Sequence, residues 1–148
     1  MLYFYPEDFG ALGNGVNNDC KAIQSAIDKA EENGGGTVVL TSGKTYYSDS
    51  IRMKKNVELH LQKGSRLKAT DNIDGYIRPC NMINDPKTAL IGNPVTGKPS
   101  FVFIYGYEAD GCTISGEGTI DANGHAFVER KDQYYVTGNF YPRPTVIY

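Results

Sequence analysis

Hydrophobic positions follow a helical period in only one part of the chain. Four apolar residues are spaced i, i+3, i+4 and i+7 and therefore share one helix face: Ile23, Ala26, Ile27 and Ala30. We predict an α-helix over residues 19–33. Asn18 or Asp19 can cap its start by accepting a hydrogen bond from a free backbone N–H. The run of glycines at residues 34–36 ends the helix, because glycine accepts the left-handed conformation that closes a helix.

The rest of the chain has the pattern of short strands separated by turns. Val57, Leu59 and Leu61 alternate with polar residues, which is typical of a strand with one buried face. Short apolar or alternating runs predict further strands at residues 37–40, 45–48, 67–69, 101–104, 112–115, 119–120 and 145–148. Residues 71–100 contain four of the seven prolines, and we predict that they form a loop inserted between strands. Residues 122–140 also have the pattern of a loop.

Two segments repeat the order of a short strand, a glycine turn and a second short strand. The shared positions are Val57, Leu59, Gly64 and Leu67 in the first segment, and Cys112, Ile114, Gly118 and Ile120 in the second. Such units bury little surface alone and must stack on neighbours. One helix followed by stacked units predicts an all-β parallel β-helix, a solenoid whose first coil the helix caps. A sandwich or barrel is the alternative, but it usually shows clearer hairpin signals.

Composition narrows the classes of protein to which the chain can belong. The 148 residues are 40% hydrophobic and 22% charged, with a formal net charge of −2. These values exclude a disordered chain and a polybasic nucleic-acid binder. No apolar run approaches the roughly 20 residues that a membrane span needs, and the first residues lack the basic and apolar regions of a signal peptide. We therefore predict neither a nucleic-acid nor a membrane partner.

The cysteines give a weak indication of cellular location. Cys20, Cys80 and Cys112 are odd in number and widely spaced, so they form neither a closed disulfide framework nor a Cys-x-x-Cys metal site. We predict buried free thiols, and no metal or cofactor. This usage favours the cytoplasm, with secretion as the alternative if a leader has been removed.

Several runs in the first third of the chain resemble the opening of pectin-lyase-like right-handed parallel β-helices. They are residues 8–15 (DFGALGNG), 18–19 (ND), 22–27 (AIQSAI), 34–40 (GGGTVVL) and 43–46 (GKTY). Several functional groups share this opening, so the resemblance implies the right-handed β-helix fold and not a particular activity.

A second resemblance is more specific. Residues 110–124 (DGCTISGEGTIDANG) are similar to the ITGxGTIDGxG signature of polygalacturonase-type glycoside hydrolases, family 28. Residues 143–147 (RPTVI) resemble the strand beginning with Arg-Pro that follows the signature in that family. The resemblance implies an enzyme that cleaves galacturonan or a related pectic polysaccharide or oligosaccharide by inverting hydrolysis. Its expected partner is therefore an acidic carbohydrate.

The catalytic segments of that family do not occur in this sequence. The family's aspartates lie in an Asn-Thr-Asp segment and an Asp-Asp pair, followed by Gly-His-Gly and Arg-Ile-Lys segments, all after the Arg-Pro strand. The resemblance implies that residues 1–148 form the N-terminal coils of a truncated β-helix, with the catalytic aspartates beyond Tyr148. We expect this chain alone to be inactive. We also expect self-association through the exposed end of its last coil.

Arg143 is the residue that we predict to bind substrate, because a guanidinium group binds a carboxylate with two hydrogen bonds. We assign no catalytic residue. Asp121 follows a strand, and we predict that it bonds backbone amides in its turn. His60 is expected to face solvent, because it alternates with Leu59 and Leu61.

Two sets of side chains could contact a carbohydrate, although each also has a purely structural explanation. The first set is basic and either attracts a polyanion or protects a strand edge: Lys54, Lys55, Lys63, Arg66 and Lys68. The second set is aromatic and either stacks on sugar rings or packs half-buried: Tyr46, Tyr47, Tyr105, Tyr107, Tyr134, Tyr135 and Tyr141. Two other functions therefore stay open. One is a non-catalytic, tailspike-like carbohydrate-binding β-helix, and the other is a calcium-dependent polysaccharide lyase.

Overall fold

The computed structural model describes residues 2–79, 101–127, 129–131, 134–136 and 144–148. Its one α-helix within these residues is α1 (Cys20–Glu32). The strands are β1 (Tyr3–Phe4), β2 (Asn14–Asn18), β3 (Gly36–Leu40), β4 (Thr45–Ser48), β5 (Ile51–Met53), β6 (Val57–Leu61), β7 (Arg66–Ala69), β8 (Val102–Gly106), β9 (Thr113–Gly116), β10 (Thr119–Asp121), β11 (Glu129–Lys131), β12 (Tyr134–Val136) and β13 (Thr145–Ile147).

The strands form three parallel sheets that the chain visits in turn. Sheet A has the order β1-β3-β6-β9, sheet B has the order β2-β4-β7-β10, and sheet C has the order β5-β8-β13. The first coil contributes β1 to sheet A and β2 to sheet B, and each of the next three coils contributes one strand to every sheet. Every pairing within the three sheets is parallel. The fold is a right-handed parallel β-helix capped by α1, and the predicted fold class is confirmed.

Apolar side chains stack from coil to coil along each sheet. The aligned sets are Val38, Leu59 and Ile114 in sheet A; Tyr46, Leu67 and Ile120 in sheet B; and Ile51, Ile104 and Ile147 in sheet C. In the second and third coils these side chains are fully buried. The predicted repeat is confirmed at its strand positions, because Leu59 pairs with Ile114 and Leu67 pairs with Ile120. The two turn glycines do not align, since Gly118 lies against Ser65 and not against Gly64.

Helix α1 covers the end of the solenoid at its first coil. Its apolar face is fully buried in the core and comprises Ile23, Ala26, Ile27 and Ala30. The side chain of Asn18 accepts a hydrogen bond from the Cys20 N–H at the helix start, 3.0 Å away. At the other end, the N–H groups of Gly34 and Gly35 bond to carbonyls of the last turn, and Gly34 has φ +84°. Asp19 instead binds the Leu12 and Gly13 N–H groups of the preceding loop.

Some local expectations are wrong. Residues 122–140 are not entirely a loop, because a 3-10 turn (Gly124–Phe127) precedes an antiparallel hairpin of β11 and β12. Cys20 and Cys112 are free thiols but only half-buried, since Cys20 is the first residue of α1 and Cys112 directly precedes β9. Cys80 lies outside the described residues. Residues 71–79 are irregular apart from a 3-10 turn and one bridge, and the rest of the predicted 71–100 insertion is not described.

The connections from sheet B to sheet C differ greatly in length. Two residues join β4 to β5, whereas residues 70–101 join β7 to β8 and residues 122–144 join β10 to β13. Both long connections therefore leave the same corner in successive coils and lead into sheet C. Long surface connections often carry function. The described helix is too short and too polar to cross a membrane.

Candidate functional site

The outer face of sheet C presents a row of tyrosines beside an arginine. Strand alternation fixes this arrangement, because Ile51, Met53 and Ile104 point into the core. Arg52 and Tyr105, which are paired neighbours in the parallel register, therefore point outward together.

The rings on this face are nearly parallel. The Tyr105 and Tyr107 centroids are 6.4 Å apart with an interplanar angle of 3°, and the Tyr105 and Tyr148 centroids are 6.2 Å apart with an angle of 2°. The Arg52 guanidinium carbon lies 5.5 Å from the Tyr105 ring centroid, in reach of a cation–π interaction. Tyr107 is 68% exposed and Tyr148 is 46% exposed. Exposed, ordered aromatic surface of this kind is typical of a binding site.

A small open cavity lies between the second and third coils on this face, and we call it the sheet C notch. Its volume is about 110 Å³, and its lining residues are Arg52, Met53, Lys54, Tyr105 and Tyr107. One wall is thus cationic and the other is aromatic. The notch can receive a small anionic group at the first wall while an apolar ring face contacts the second.

Helix α1 holds the cationic wall in place. The side chain of Gln24 accepts a hydrogen bond from the Arg52 N–H at 2.8 Å and donates one to the Arg52 carbonyl at 3.1 Å. Lys54 forms an ion pair with Glu31 at 3.1 Å. Arg52 makes no ion pair with any residue that the structure describes. The guanidinium group of Arg52 is therefore the cation of the notch that is available to a ligand.

The outer face of sheet A instead carries hydrogen-bonded polar side chains, which we call the polar ladder: Thr37, Glu58, His60 and Ser115. Glu58 accepts hydrogen bonds from the hydroxyls of Ser115 (2.5 Å) and Thr37 (2.9 Å), and these two bonds lower the pKa of the Glu58 carboxyl. His60 Nδ1 lies 2.7 Å from Ser115 Oγ, and the half-exposed ring faces outward as predicted. A carboxylate stabilised in this way stays ionised and is a poor proton donor, so the ladder does not supply a general acid.

On the outer face of sheet B, the charged side chains largely compensate one another. Asp121 Oδ1 accepts a hydrogen bond from the Asn123 N–H at 2.8 Å, and Asp121 Oδ2 lies 3.6 Å from Arg66. The predicted turn role of Asp121 is confirmed. Lys68 Nζ lies 6.0 Å from the Tyr47 ring centroid. The predicted basic cluster is therefore divided, with Lys54 at sheet C, Arg66 and Lys68 on sheet B, and the other two lysines of the set in turns.

The predicted substrate contact, Arg143, lies outside the described residues and stays a prediction. Of the residues now assigned to the notch, Tyr105, Tyr107 and Lys54 belonged to sets singled out in the sequence, whereas Arg52 did not. The signal for Arg52 was the apolar–charged–apolar run at residues 51–53, which is short but alternates as a strand does. Among the residues that the structure describes, no three potential ligands come close enough to hold a metal ion.

The sequence of this chain is similar to the sequences of two known proteins. The chain is 32% identical to the capsule KN3-specific depolymerase 1 of Klebsiella phage KN3-1 over 124 residues, covering 82% of this chain and 16% of that protein. It is 30% identical to the plasmin and fibronectin-binding protein A of Streptococcus pneumoniae over 129 residues, covering 80% of this chain and 15% of that protein.

A solved structure of a family 28 exopolygalacturonase from Yersinia enterocolitica superposes with a TM-score of 0.67 at 25% identity, covering 88% of this chain and 22% of that one. The chain thus spans less than a quarter of the length of each of these three proteins. The resemblance to polygalacturonase-like β-helices is confirmed. Residues 7–141 match the profile described as rhamnogalacturonase A/epimerase, pectate lyase-like, and the chain belongs to this family.

Proposed function

We propose that the protein acts on a polysaccharide and binds it on the outer face of sheet C, with an acidic, pectin-type chain as the substrate. The single observation that carries the proposal is the sheet C notch, where Arg52 lies beside a row of tyrosines of which Tyr107 and Tyr148 are exposed. The relatives support it by name, since they include a capsule depolymerase and an exopolygalacturonase.

The side chains of the notch suit an acidic sugar. The apolar face of a pyranose ring packs against an aromatic ring, and Tyr107 offers a largely exposed ring for this contact. The carboxylate of a uronic acid carries one negative charge at neutral pH, which Arg52 can bind with two hydrogen bonds. Because the contact is electrostatic and open to solvent, binding should weaken as salt is added.

Hydrolysis with inversion needs more than a binding surface. One carboxylic acid protonates the leaving oxygen while a carboxylate about 6.5–9.5 Å away activates water. Of the two aspartates that flank the family signature, Asp121 is engaged by its own turn and by Arg66, and Asp110 lies before β9 at a different corner. We therefore propose that these coils bind the polysaccharide substrate of a pectin-type inverting glycoside hydrolase. We also propose that the 148 residues alone do not cleave this polysaccharide.

Calorimetric titration with trigalacturonate tests the proposal. Tyr107→Ala should weaken binding about five-fold, the effect of losing about 1 kcal/mol of aromatic contact. Tyr3→Ala is the matched control, because Tyr3 is also an exposed tyrosine, 58% exposed, and lies on β1 at the other end of the solenoid. No binding by the unaltered chain, or equal losses in both variants, would contradict the proposal. Release of reducing sugar by the unaltered chain would contradict the expected lack of cleavage.

A non-catalytic binding role is the second candidate function. It is favoured by the similarity to the plasmin and fibronectin-binding protein of Streptococcus pneumoniae. In that role, the notch would bind a saccharide for attachment. A longer protein that contains these coils would not cleave the saccharide. A calcium-dependent lyase is the third possibility, and added calcium distinguishes it from the other two. Calcium should raise the melting temperature of a calcium-dependent lyase and leave that of a hydrolase or an adhesin unchanged.

A further inference from the structure

The capping helix contributes a charged residue to the rim of the sheet C notch. Glu31 lies in the last turns of α1, and its Oε2 is 3.1 Å from Lys54 Nζ. Both side chains are about two-fifths exposed, at 39% for Glu31 and 36% for Lys54. A ligand that enters the notch can therefore reach the ion pair, and either side chain can exchange its partner for a charged group of that ligand.

The pair sets the charge of the empty notch. Of the two cations on its wall, Lys54 is neutralised by Glu31, whereas Arg52 faces the Tyr105 ring. The wall therefore carries one net positive charge. An anionic group that approaches Lys54 must compete with a carboxylate that is already in place.

We propose that Glu31 is a specificity-determining residue, which competes with the anionic groups of a bound saccharide for Lys54. This inference rests on the proposed function of the notch. With Glu31 present, the notch favours a sugar with a single carboxylate directed at Arg52. Without the charge of Glu31, the notch becomes dicationic and favours saccharides of higher negative charge.

The position of Glu31 is fixed well enough for this role. Gln24 joins α1 to the backbone of Arg52 with two hydrogen bonds and is itself bonded to Asp28 at 3.0 Å. The apolar face of the same helix is buried against the core. Glu31 and the strand β5, which Lys54 directly follows, are therefore parts of one packed unit, and the competition does not depend on a mobile segment.

Glu31→Gln tests the inference, because it keeps the shape of the side chain and removes its charge. Affinity for trigalacturonate at low salt should rise about two- to five-fold, the range expected for an exposed ion pair. Affinity for a sulfated galactan trimer of higher charge should rise more, and affinity for the neutral galactose trimer should not change. The gain should disappear at about 1 M salt, where the Debye length is about 3 Å.

Glu32→Gln is the matched control, because Glu32 lies on the same helix but pairs with Lys29. It should leave all three affinities unchanged. Lys54→Gln supplies a second test: in that background, Glu31→Gln should have no effect, as a pairwise competition requires.

The outcomes separate this inference from the proposed function. If the unaltered chain binds none of the three saccharides, the proposed function fails and the role of Glu31 fails with it. If the unaltered chain binds trigalacturonate, and Arg52→Gln weakens that binding, the proposed function stands. In that case the inference is overturned if Glu31→Gln and Glu32→Gln behave alike, or if Glu31→Gln weakens the binding.

Discussion

The hydroxyl of Tyr46 connects two parts of the chain that are distant in sequence. The side chain is fully buried, and its hydroxyl donates to Glu7 Oε1 (2.6 Å) and accepts from the Thr41 N–H (2.9 Å). Tyr46→Phe keeps the ring but removes both hydrogen bonds, so the Thr41 N–H loses this acceptor while Glu7 Oε1 keeps its ion pair with Lys44 at 2.9 Å. The free energy of unfolding should therefore fall by about 1–3 kcal/mol. Urea denaturation at pH 7 measures this change. Tyr3→Phe, at an exposed ring, is the control, and equal stability of the two variants would contradict the prediction.

The same group makes stability depend on pH in the alkaline range. Burial, together with the bond to Glu7, raises the pKa of Tyr46 to about 12 from an ordinary value of 10. A raised pKa in the folded state means that the contribution of Tyr46 is complete below pH 10 and is lost as the pH rises towards 12. Unfolding followed between pH 8 and 12 should therefore show a loss of stability that Tyr46→Phe reduces. An identical alkaline loss in both proteins would argue against this.

Gly116 is a position where only glycine fits. Its φ is +98°, and a Cβ atom there would overlap the carbonyl oxygen of Leu61 in the coil below. Gly116→Ala should therefore destabilise the fold by about 3 kcal/mol or more. Gly43→Ala is the control, since Gly43 has a similar φ of +78° but no atom within 4 Å of the added carbon. It should cost only about 1–2 kcal/mol. Comparable melting temperatures for the two variants would show that the close approach to Leu61 is unimportant.

At the scale of the elements, the sequence predicted the helix and strands whose apolar residues recur with a helical or strand period. Helix α1 and strands such as β6 have such a period, and their core faces were assigned correctly. Five strands were missed for physical reasons. β1 has only two residues, β5, β11 and β12 have three each, and β2 (NGVNN) has no apolar alternation because it pairs on one side only. A pattern within one segment contains no signal for elements so short or so polar.

The candidate site was only partly predictable for a related reason. Tyr105 and Tyr107 belong to the aromatic set that the sequence singled out as able to stack on sugar rings. Their position beside Arg52 could not be predicted, because it depends on the pairing of β5 with β8 across the long 70–101 connection. The site is produced by the register between coils, and periodicity within one coil does not reveal that register.

Helix α1 itself is predicted to be indispensable as a cap. Ile27 is fully buried in the core under the helix, so Ile27→Ala removes apolar contact and leaves a cavity at the end of the solenoid. The free energy of unfolding should fall by about 2–5 kcal/mol. Lys21→Ala, on the exposed face of the same helix, should change it by less than about 0.5 kcal/mol. Thermal unfolding followed by circular dichroism measures both, and a small effect at Ile27 would mean that the coils are stable without their cap.

The whole molecule is a prism with three chemically different faces. A polar ladder lies on sheet A, compensated charges lie on sheet B, and aromatic rings with an unpaired guanidinium group, among the residues described, lie on sheet C. In two successive coils, a long connection leaves the corner between this third face and sheet B. These features support our proposal that sheet C is the binding face, since the packed core fixes the position of its side chains.

The two ends of the prism differ as well, and this difference predicts self-association. At the first coil, α1 covers the core. At the other end, β9, β10 and β13 are edge strands with no partner on their outer side among the described residues. A cavity of about 350 Å³ also opens there, and it is lined by apolar side chains that include Ile104, Ile114 and Ile147. Unpaired strand edges next to exposed apolar surface favour pairing between chains.

Sedimentation velocity at several protein concentrations should therefore detect dimers or larger species that increase with concentration. Contact through the end that carries Ile147 is favoured over contact with the opposite end, because α1 presents polar residues there and offers no continuation of sheet C. Ile147→Lys places a charge on the half-exposed rim and should shift the distribution towards monomer. Val16→Lys, at the exposed edge strand of the opposite end, should not. A chain that stays monomeric at every concentration, or that responds equally to both substitutions, would show that the open edges do not recruit a second copy.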